Sequence, residues 1–394
     1  MVRTTLFRNY WTLSIALAAA LYLTACQPIQ APPAQNATIP ASAESAEPAA
    51  MEDHTIAEGL NGPQGILVDA DGAIWVIDAG LGGEDDLTFV APGEGPVTGK
   101  YGESARVVRI DADGTTTDVA MLPSIAAGQD IIGGARLALL DGTLYATVGQ
   151  WYGGLGDRPA NLAAVVTVGE DGITEVANTW EIENGQNPDP HTVDTHPYGI
   201  AAGPDGMLWV ADAGANDLLK LDPATGEAEL VAVFAGLPGP FPNPERGDAM
   251  ETDPVPTGVA FDADGNAYVS LLTGFPFIPG SAKVMMVDAD GTVSDYATGL
   301  TMLTDIRTAP NGQMYAVQFG IFGEQGPTPN SGAIVRIGEG DTSEIVAAEL
   351  SFPTSLDFDS DGNAYVTING VGAPGSGAVM MLPGLTEREG TPLQ

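Results

Sequence analysis

The densest run of reactive side chains is Asp189-Pro190-His191-Thr192-Val193-Asp194-Thr195-His196. His191, Asp194 and His196 are of the types that hold a divalent metal, and such an ion would polarise an oxygen for hydrolysis or isomerisation. The run lies in a connection rather than on a helix, so its spacing fixes no coordination geometry, and solvated turn residues are the simpler account. Asp78 and Asp212 form a second pair, in Ile77-Asp78-Ala79-Gly80 and Ala211-Asp212-Ala213-Gly214. Each follows a short apolar run, where a carboxylate either meets a ligand or caps its own loop by accepting backbone N–H groups; capping is the expected role. Asp-x-Asp-Gly segments such as Asp262-Ala263-Asp264-Gly265 and Asp359-Ser360-Asp361-Gly362 echo calcium loops. They lack the downstream bidentate Glu of that pattern, and hairpin chemistry explains them. No Gly-x-Ser-x-Gly elbow occurs, and with three His and one Cys the usual nucleophilic arrangements cannot be assembled.

Short strands must carry these groups, because 51 Gly and 30 Pro punctuate the chain. A turn followed three residues later by an aromatic recurs six times: Asp71-Gly72 with Trp75, Asp141-Gly142 with Tyr145, Asp205-Gly206 with Trp209, Asp264-Gly265 with Tyr268, Asn311-Gly312 with Tyr315, and Asp361-Gly362 with Tyr365. Asp-Gly and Asn-Gly favour two-residue type I′ hairpins, which need φ > 0 at both central positions. A second hairpin recurs at Asp113-Gly114, Asp171-Gly172, Thr225-Gly226 and Asp290-Gly291, so each unit reads as four antiparallel strands. The pattern predicts an all-β fold, a six-bladed β-propeller of four-stranded antiparallel blades over residues 53–384, followed by a C-terminal tail, 385–394. The last unit stops at its third strand, Ala378–Leu382, and residues 54–60 resemble a fourth, so the two chain ends are expected to pair and close the ring.

In that architecture the short turns share one face, and the long segments 80–104, 150–161, 181–197, 235–256, 273–281 and 319–332 share the other. Long loops on a rigid scaffold usually carry function. The aromatics there, Trp151, Tyr152, Phe277 and Phe319, together with Asp78, Tyr198 and Asp212, are therefore the candidate ligand-binding residues for a small molecule or an extracytoplasmic protein. The alternative is that these rings cover the channel mouth and pack among themselves.

The blade pattern resembles that of gluconolactonase- and regucalcin-type lactonases, which implies Glu, Asn and Asp ligands at the starts of inner strands. Eight residues before each turn glycine, this chain has instead Gln64, Gly134, Tyr198, Thr257, Thr304 and Thr354, with Asp305 one position on. A divalent cation such as Ca2+ is thus admitted by the resemblance without being fixed by the residues, and the same resemblance makes a metal-dependent hydrolase or isomerase the rival function. Pro197-Tyr198-Gly199, Asp205-Gly206 and Trp209-Val210-Ala211-Asp212-Ala213-Gly214-Ala215-Asn216-Asp217 are similar to the NHL-like propellers called ScyD/ScyE, associated with scytonemin biosynthesis. That likeness, over residues 54–383, implies a six-bladed extracytoplasmic protein, supplies no catalytic residues, and favours a binding or scaffolding role.

The N-terminus gives the compartment. Arg3 and Arg8 precede an apolar run, Leu13–Tyr22, too short to remain as a spanning anchor, which ends in Leu23-Thr24-Ala25-Cys26. This resembles a bacterial lipobox, predicting a signal over 1–25, lipidation of Cys26, and attachment to a membrane outside the cytoplasm at the surface or in the periplasm. Residues 26–52 hold few large apolar groups and read as a disordered tether. With 13 basic against 52 acidic residues the formal net charge is −39, which excludes nucleic acid as a partner because phosphate binding needs the opposite sign.

Overall fold

The computed structural model describes residues 54–91, 95–111, 113–128, 130–152, 157–191 and 193–393. The signal, Cys26 and the tether lie outside the described residues.

The described chain is all-β apart from one α-helix, Thr179–Gln186, and two short 3-10 turns. It folds into six antiparallel sheets of four to six strands, with small two-stranded ribbons besides. The first strands of the sheets are Pro63–Val68, Gly134–Leu140, Pro197–Ala202, Pro256–Phe261, Leu303–Thr308 and Ser355–Phe358. Each pairs with the strand that follows it, and the first strands of consecutive sheets touch in a cycle, the sixth returning to the first. These inner strands are buried nearly throughout, whereas an outer strand such as Ala228–Val233 is mostly open to solvent. Neighbours on both faces demand apolar or small residues; one covered face permits alternation. Close approach also needs glycine: a Cβ on Gly199 would come within 2.8 Å of the Thr257 carbonyl, and one on Gly65 within 2.6 Å of the Ala135 carbonyl.

Between each two successive sheets lies an apolar layer. Leu67, Ile77 and Leu122 pack against Leu137, Ala146 and Val166 between the first and second. Similar layers follow around the molecule. The sixth sheet takes its fourth strand from Thr55–Leu60, which pairs antiparallel with Gly377–Leu382 (Ala57 opposite Val379, Leu60 opposite Gly377). Ala57, Leu60 and Val379 then form one cluster with Ile66, Val76 and Ile110 of the first sheet. The two chain ends therefore meet in one sheet, and that sheet packs on the first as the others pack on their neighbours.

Two expectations change. Only the Asp141-Gly142 turn has positive φ at both residues (49° and 78°); at the other five repeat turns the glycine alone is positive. In the first sheet Gly72 N–H donates to the Asp69 carbonyl, and Asp69 Oδ1 accepts from the N–H groups of Asp71 and Ala73. This is a longer turn ending in a left-handed glycine, nucleated by the Asp three residues earlier. It also explains the repeated aromatic, since Trp75 Nε1 and Tyr268 OH donate to Asp69 and Asp262 Oδ2 at 3.1 and 3.0 Å. Second, several long segments are folded rather than irregular: Asp85–Ala91 pairs with Gly95–Ile110, Leu237–Asn243 with Ala249–Thr252, and Phe322–Gly323 with Gly326–Pro327. The C-terminal tail is also held, Thr391–Pro392 adding to the edge strand Glu344–Leu350 of the fifth sheet.

Candidate functional site

The first strands surround an axis, and its middle is filled by Arg136, which is fully buried. The guanidinium donates through Nη1 to the carbonyls of Gln64 and Ala135, and through Nη2 to those of Thr304 and, at 2.8 Å, Thr354. Its Nε lies 3.5 Å from Asp305 Oδ2, and its Cζ sits 4.4 Å from the Tyr198 ring centroid. Tyr198 OH donates to Gln64 Oε1 at 2.9 Å, and Gln64 Nε2 to the Gly370 carbonyl at 2.8 Å. Asp305 also accepts from Ser355 Oγ and from Ile306 N–H. The ring positions picked out by the turn glycines are thus brought together, around a guanidinium. A cation at this place does not fit: the charge, the carbonyl acceptors and the one carboxylate are already committed to Arg136.

Beyond Tyr198, on the long-loop side, the channel mouth is closed by aromatic packing. Phe277 and Phe319 are 4% and 1% exposed and form one cluster with Tyr198, Leu272 and Met302, against which Phe275, Phe322 and Phe352 pack. Phe319 stacks on Phe352 at 5.6 Å, and Phe277 meets Phe322 at 5.0 Å. Trp151 is buried with Ile125, Ile132 and Leu162, with Tyr152 packed partly against them. These side chains are cover and core, so the rings named from sequence do not present an open recognition surface; apolar area is more stable packed than wet. Among the described residues, the large apolar side chains exposed on these loops are Leu81, Val193, Phe241, Met250 and Ile321.

Asp78 and Asp212 are wholly buried and spend their oxygens internally. Asp78 accepts from Asn61 N–H and from Arg106 N–H, Nε and Nη2. Asp212 accepts from the N–H groups of His196, Gly214 and Ala215 and from Thr195 Oγ1. Burial pushes both carboxyls up, opposed by Arg106 at Asp78 and by the hydrogen bonds at Asp212. Each oxygen of both carboxyls is thus engaged by an internal donor, and both groups are 0% exposed.

The triad His191, Asp194 and His196 does not assemble. His191 Nε2 faces Asp189 Oδ1 at 3.8 Å, Asp194 accepts both its hydrogen bonds from Gln150 Nε2, and His196 lies edge-on to Tyr198 at 5.3 Å. Among the described residues no three His, Cys, Asp or Glu are placed to hold a metal ion. Burial, with the Arg136 charge, pushes His196 down to about 3, so the imidazole is neutral at every physiological pH. Around this segment is a buried acidic group that the sequence did not signal: Glu183, Asp189, Asp194, Asp212 and Asp217. Arg246 Nη2 pairs with Asp189 at 3.0 Å. Burial, then the neighbouring Asp212 charge, pushes Glu183 up to about 8, and burial also raises Asp194 and Asp217 well above the usual range. Glu183 therefore holds its proton at neutral pH, which is how a dry site carries a carboxyl without enough cations.

The axis is open at its other end. All six first strands line a cavity of about 370 Å³ at their C-terminal ends, on the short-turn side, with Arg307 and Asp357 among its walls. Sequence reasoning missed both arginines. The signal was there: basic residues are scarce, and these two sit inside the apolar inner strands Gly-Ala-Arg-Leu-Ala-Leu-Leu and Leu-Thr-Asp-Ile-Arg-Thr.

No protein-family model matches the sequence, and no curated protein matches it. Among solved structures, a protein of Thermus thermophilus assigned as an oxidoreductase (glucose dehydrogenase) is 18% identical over 84% of this chain and 100% of its own, with a TM-score of 0.51. Regucalcin of Agrobacterium tumefaciens, described as calcium-binding, is 13% identical over 84% and 94%, with a TM-score of 0.46. Virginiamycin B lyase of Staphylococcus aureus is 12% identical over 82% and 95%, with a TM-score of 0.43. The likeness is one of fold, a β-propeller.

Proposed function

We propose that this chain is a six-bladed β-propeller, held outside the cytoplasm by lipid on Cys26, that works as a ligand- or protein-binding module of ScyD/ScyE type. The six sheets, the cyclic contact of their first strands and the pairing of the chain ends support the blade count and the closure. The observation that carries the functional reading is Arg136. Where the lactonase resemblance implies a metal, a guanidinium held by carbonyls of three other sheets fixes the axis as structure. The metal-dependent hydrolase or isomerase, and with it an axial Ca2+, therefore loses its centre, while recognition needs none. The acidity of the chain keeps nucleic acid out of the partner list.

The test is divalent-ion content of the purified full-length chain after dialysis, beside the same measurement on Asp305→Asn. No retained ion is expected in either. A stoichiometric ion that Asp305→Asn releases would refute the reading. Cell fractionation of Cys26→Ser should move the protein from the membrane to the soluble fraction.

A further inference from the structure

The helix Thr179–Gln186 packs on the strand Asp194–Thr195 and on Ala164–Gly169. Its buried side chains are Thr179, at the start, and Glu183, in the last turn. Thr179 is well held: Oγ1 lies 2.6 Å from Thr195 Oγ1 and donates to the Ala163 carbonyl at 3.1 Å. Glu183 is not. Its Oε1 accepts from Asp194 N–H at 3.4 Å and, with the Asn187 amide turned to present its nitrogen, from Asn187 Nδ2 at 3.1 Å; Oε2 is buried with no donor. Asn184, Gly185 and Gln186 beside it are exposed, so the second half of the helix is tied down mainly through this one carboxyl.

The groups around Glu183 are acids. Asp189 follows the helix, Asp194 lies on the neighbouring strand, and Asp212 and Asp217 stand opposite each other in the third sheet, with Asp217 Oδ1 also lacking a donor. Glu245 and Asp253 add negative charge near Asp194, and Glu181 of the helix itself is exposed. The nearby cations are spent: Arg246 pairs with Asp189 at 3.0 Å and Asp253 at 2.6 Å, Arg158 pairs with Glu175 at 2.8 Å, and His191 faces Asp189. The carbonyls left open at the end of a helix also disfavour an anion in its last turn. An ionised Glu183 would therefore have neither a counter-charge nor enough donors where it lies, and such a charge is relieved by reaching water.

We propose that this helix is a proton-controlled latch: loss of the Glu183 proton lifts its second half and opens the acidic group to water on the long-loop side, while the sheets stay folded. The latch does not depend on the binding reading. Released, Glu183 ionises near 4.5; held, it keeps its proton up to about 8. Lifting is thus linked to the release of one proton, and its equilibrium constant should rise about tenfold per pH unit between those values.

The test is amide hydrogen exchange of the full-length chain from about pH 5 to 8, each rate divided by its intrinsic rate at that pH. Protection of the 183–187 amides should be lower than that of the strand Leu208–Asp212 throughout and fall about tenfold per pH unit. Glu183→Gln should remove that slope, and Glu181→Gln, on the exposed side of the same helix, should keep it. A flat profile in the parent, a slope that survives in Glu183→Gln, or helix amides as protected as Leu208–Asp212 at every pH would overturn the proposal, the last because opening would then be global.

Discussion

Glu183→Gln should make this protein more stable at neutral pH and leave it unchanged in acid. Burial of Glu183 at 2% exposure, reinforced by the Asp212, Asp194 and Asp189 charges and opposed by one long bond from Asp194 N–H, pushes the carboxyl from 4.5 to about 8. In the unfolded chain the group ionises near 4.5; in the folded chain it keeps its proton, so folding binds a proton across the interval and stability falls as pH rises from 4.5 to about 8. At about 1.36 kcal/mol per pH unit, the loss at pH 7 is about 3 kcal/mol. Glutamine does not titrate, keeps an acceptor for Asp194 N–H, and offers N–H donors to the surrounding acids. For about 340 folded residues a change of ~3 kcal/mol moves Tm by about 4 °C. Thermal melts from about pH 4 to 9 should therefore show variant and parent coinciding at the acid end and separating steadily up to about pH 8, with the variant higher. Parallel curves would refute the assignment of the proton to Glu183. A variant that is less stable at neutral pH would mean that an ion holds these carboxylates ionised, since a bound cation reverses the sign.

His196 carries the opposite slope: its pKa falls from 6.5 to about 3 through burial, so stability should drop as pH falls across that interval, and His196→Gln should flatten that limb of the same melts. Arg136→Met strands Asp305 and four carbonyls and should cost about 3–5 kcal/mol by denaturant unfolding, with part regained in Arg136→Met/Asp305→Asn. Leu60→Ala opens the cluster shared by the sixth and first sheets and should cost about 2–4 kcal/mol by denaturant unfolding. Asp262→Ala removes the acceptor for Asp264 and Asn266 N–H and for Tyr268 OH and should cost about 1–2 kcal/mol, with added Ca2+ shifting neither protein's Tm.

The sheets could be read from sequence because their marks are local. A glycine three residues before Trp75 or Tyr268 reports a turn that needs left-handed backbone, and six such turns report six repeating units. The pairing of residues 54–60 with 378–382 was also legible, since one unit lacked a strand and the chain start supplied one. The type of turn was not, because the deciding group, Asp69 or Asp262, stands outside the dipeptide. The site is misplaced for a different reason. Loop length singles out Trp151, Phe277 and Phe319, whereas burial depends on which other loops meet them across the axis. Arg136 and Arg307 owe their roles to contacts with residues 72 to 218 and 107 positions away, a relation that no window of sequence contains.

The clasp between Thr55–Leu60 and Gly377–Leu382 sets the order in which the molecule can mature. The strand Thr55–Leu60 has its hydrogen-bonding partner more than 300 residues later, so vectorial folding can form the first four strands of the fifth sheet, and the sheets before it, while the sixth waits for residues 377–382. Until then Ile66, Val76 and Ile110 of the first sheet lack their cover. Truncation just before residue 377 would leave the edge of Ala364–Ile368 and the apolar face of the first sheet without partners, the condition in which an edge strand pairs with another copy of the chain.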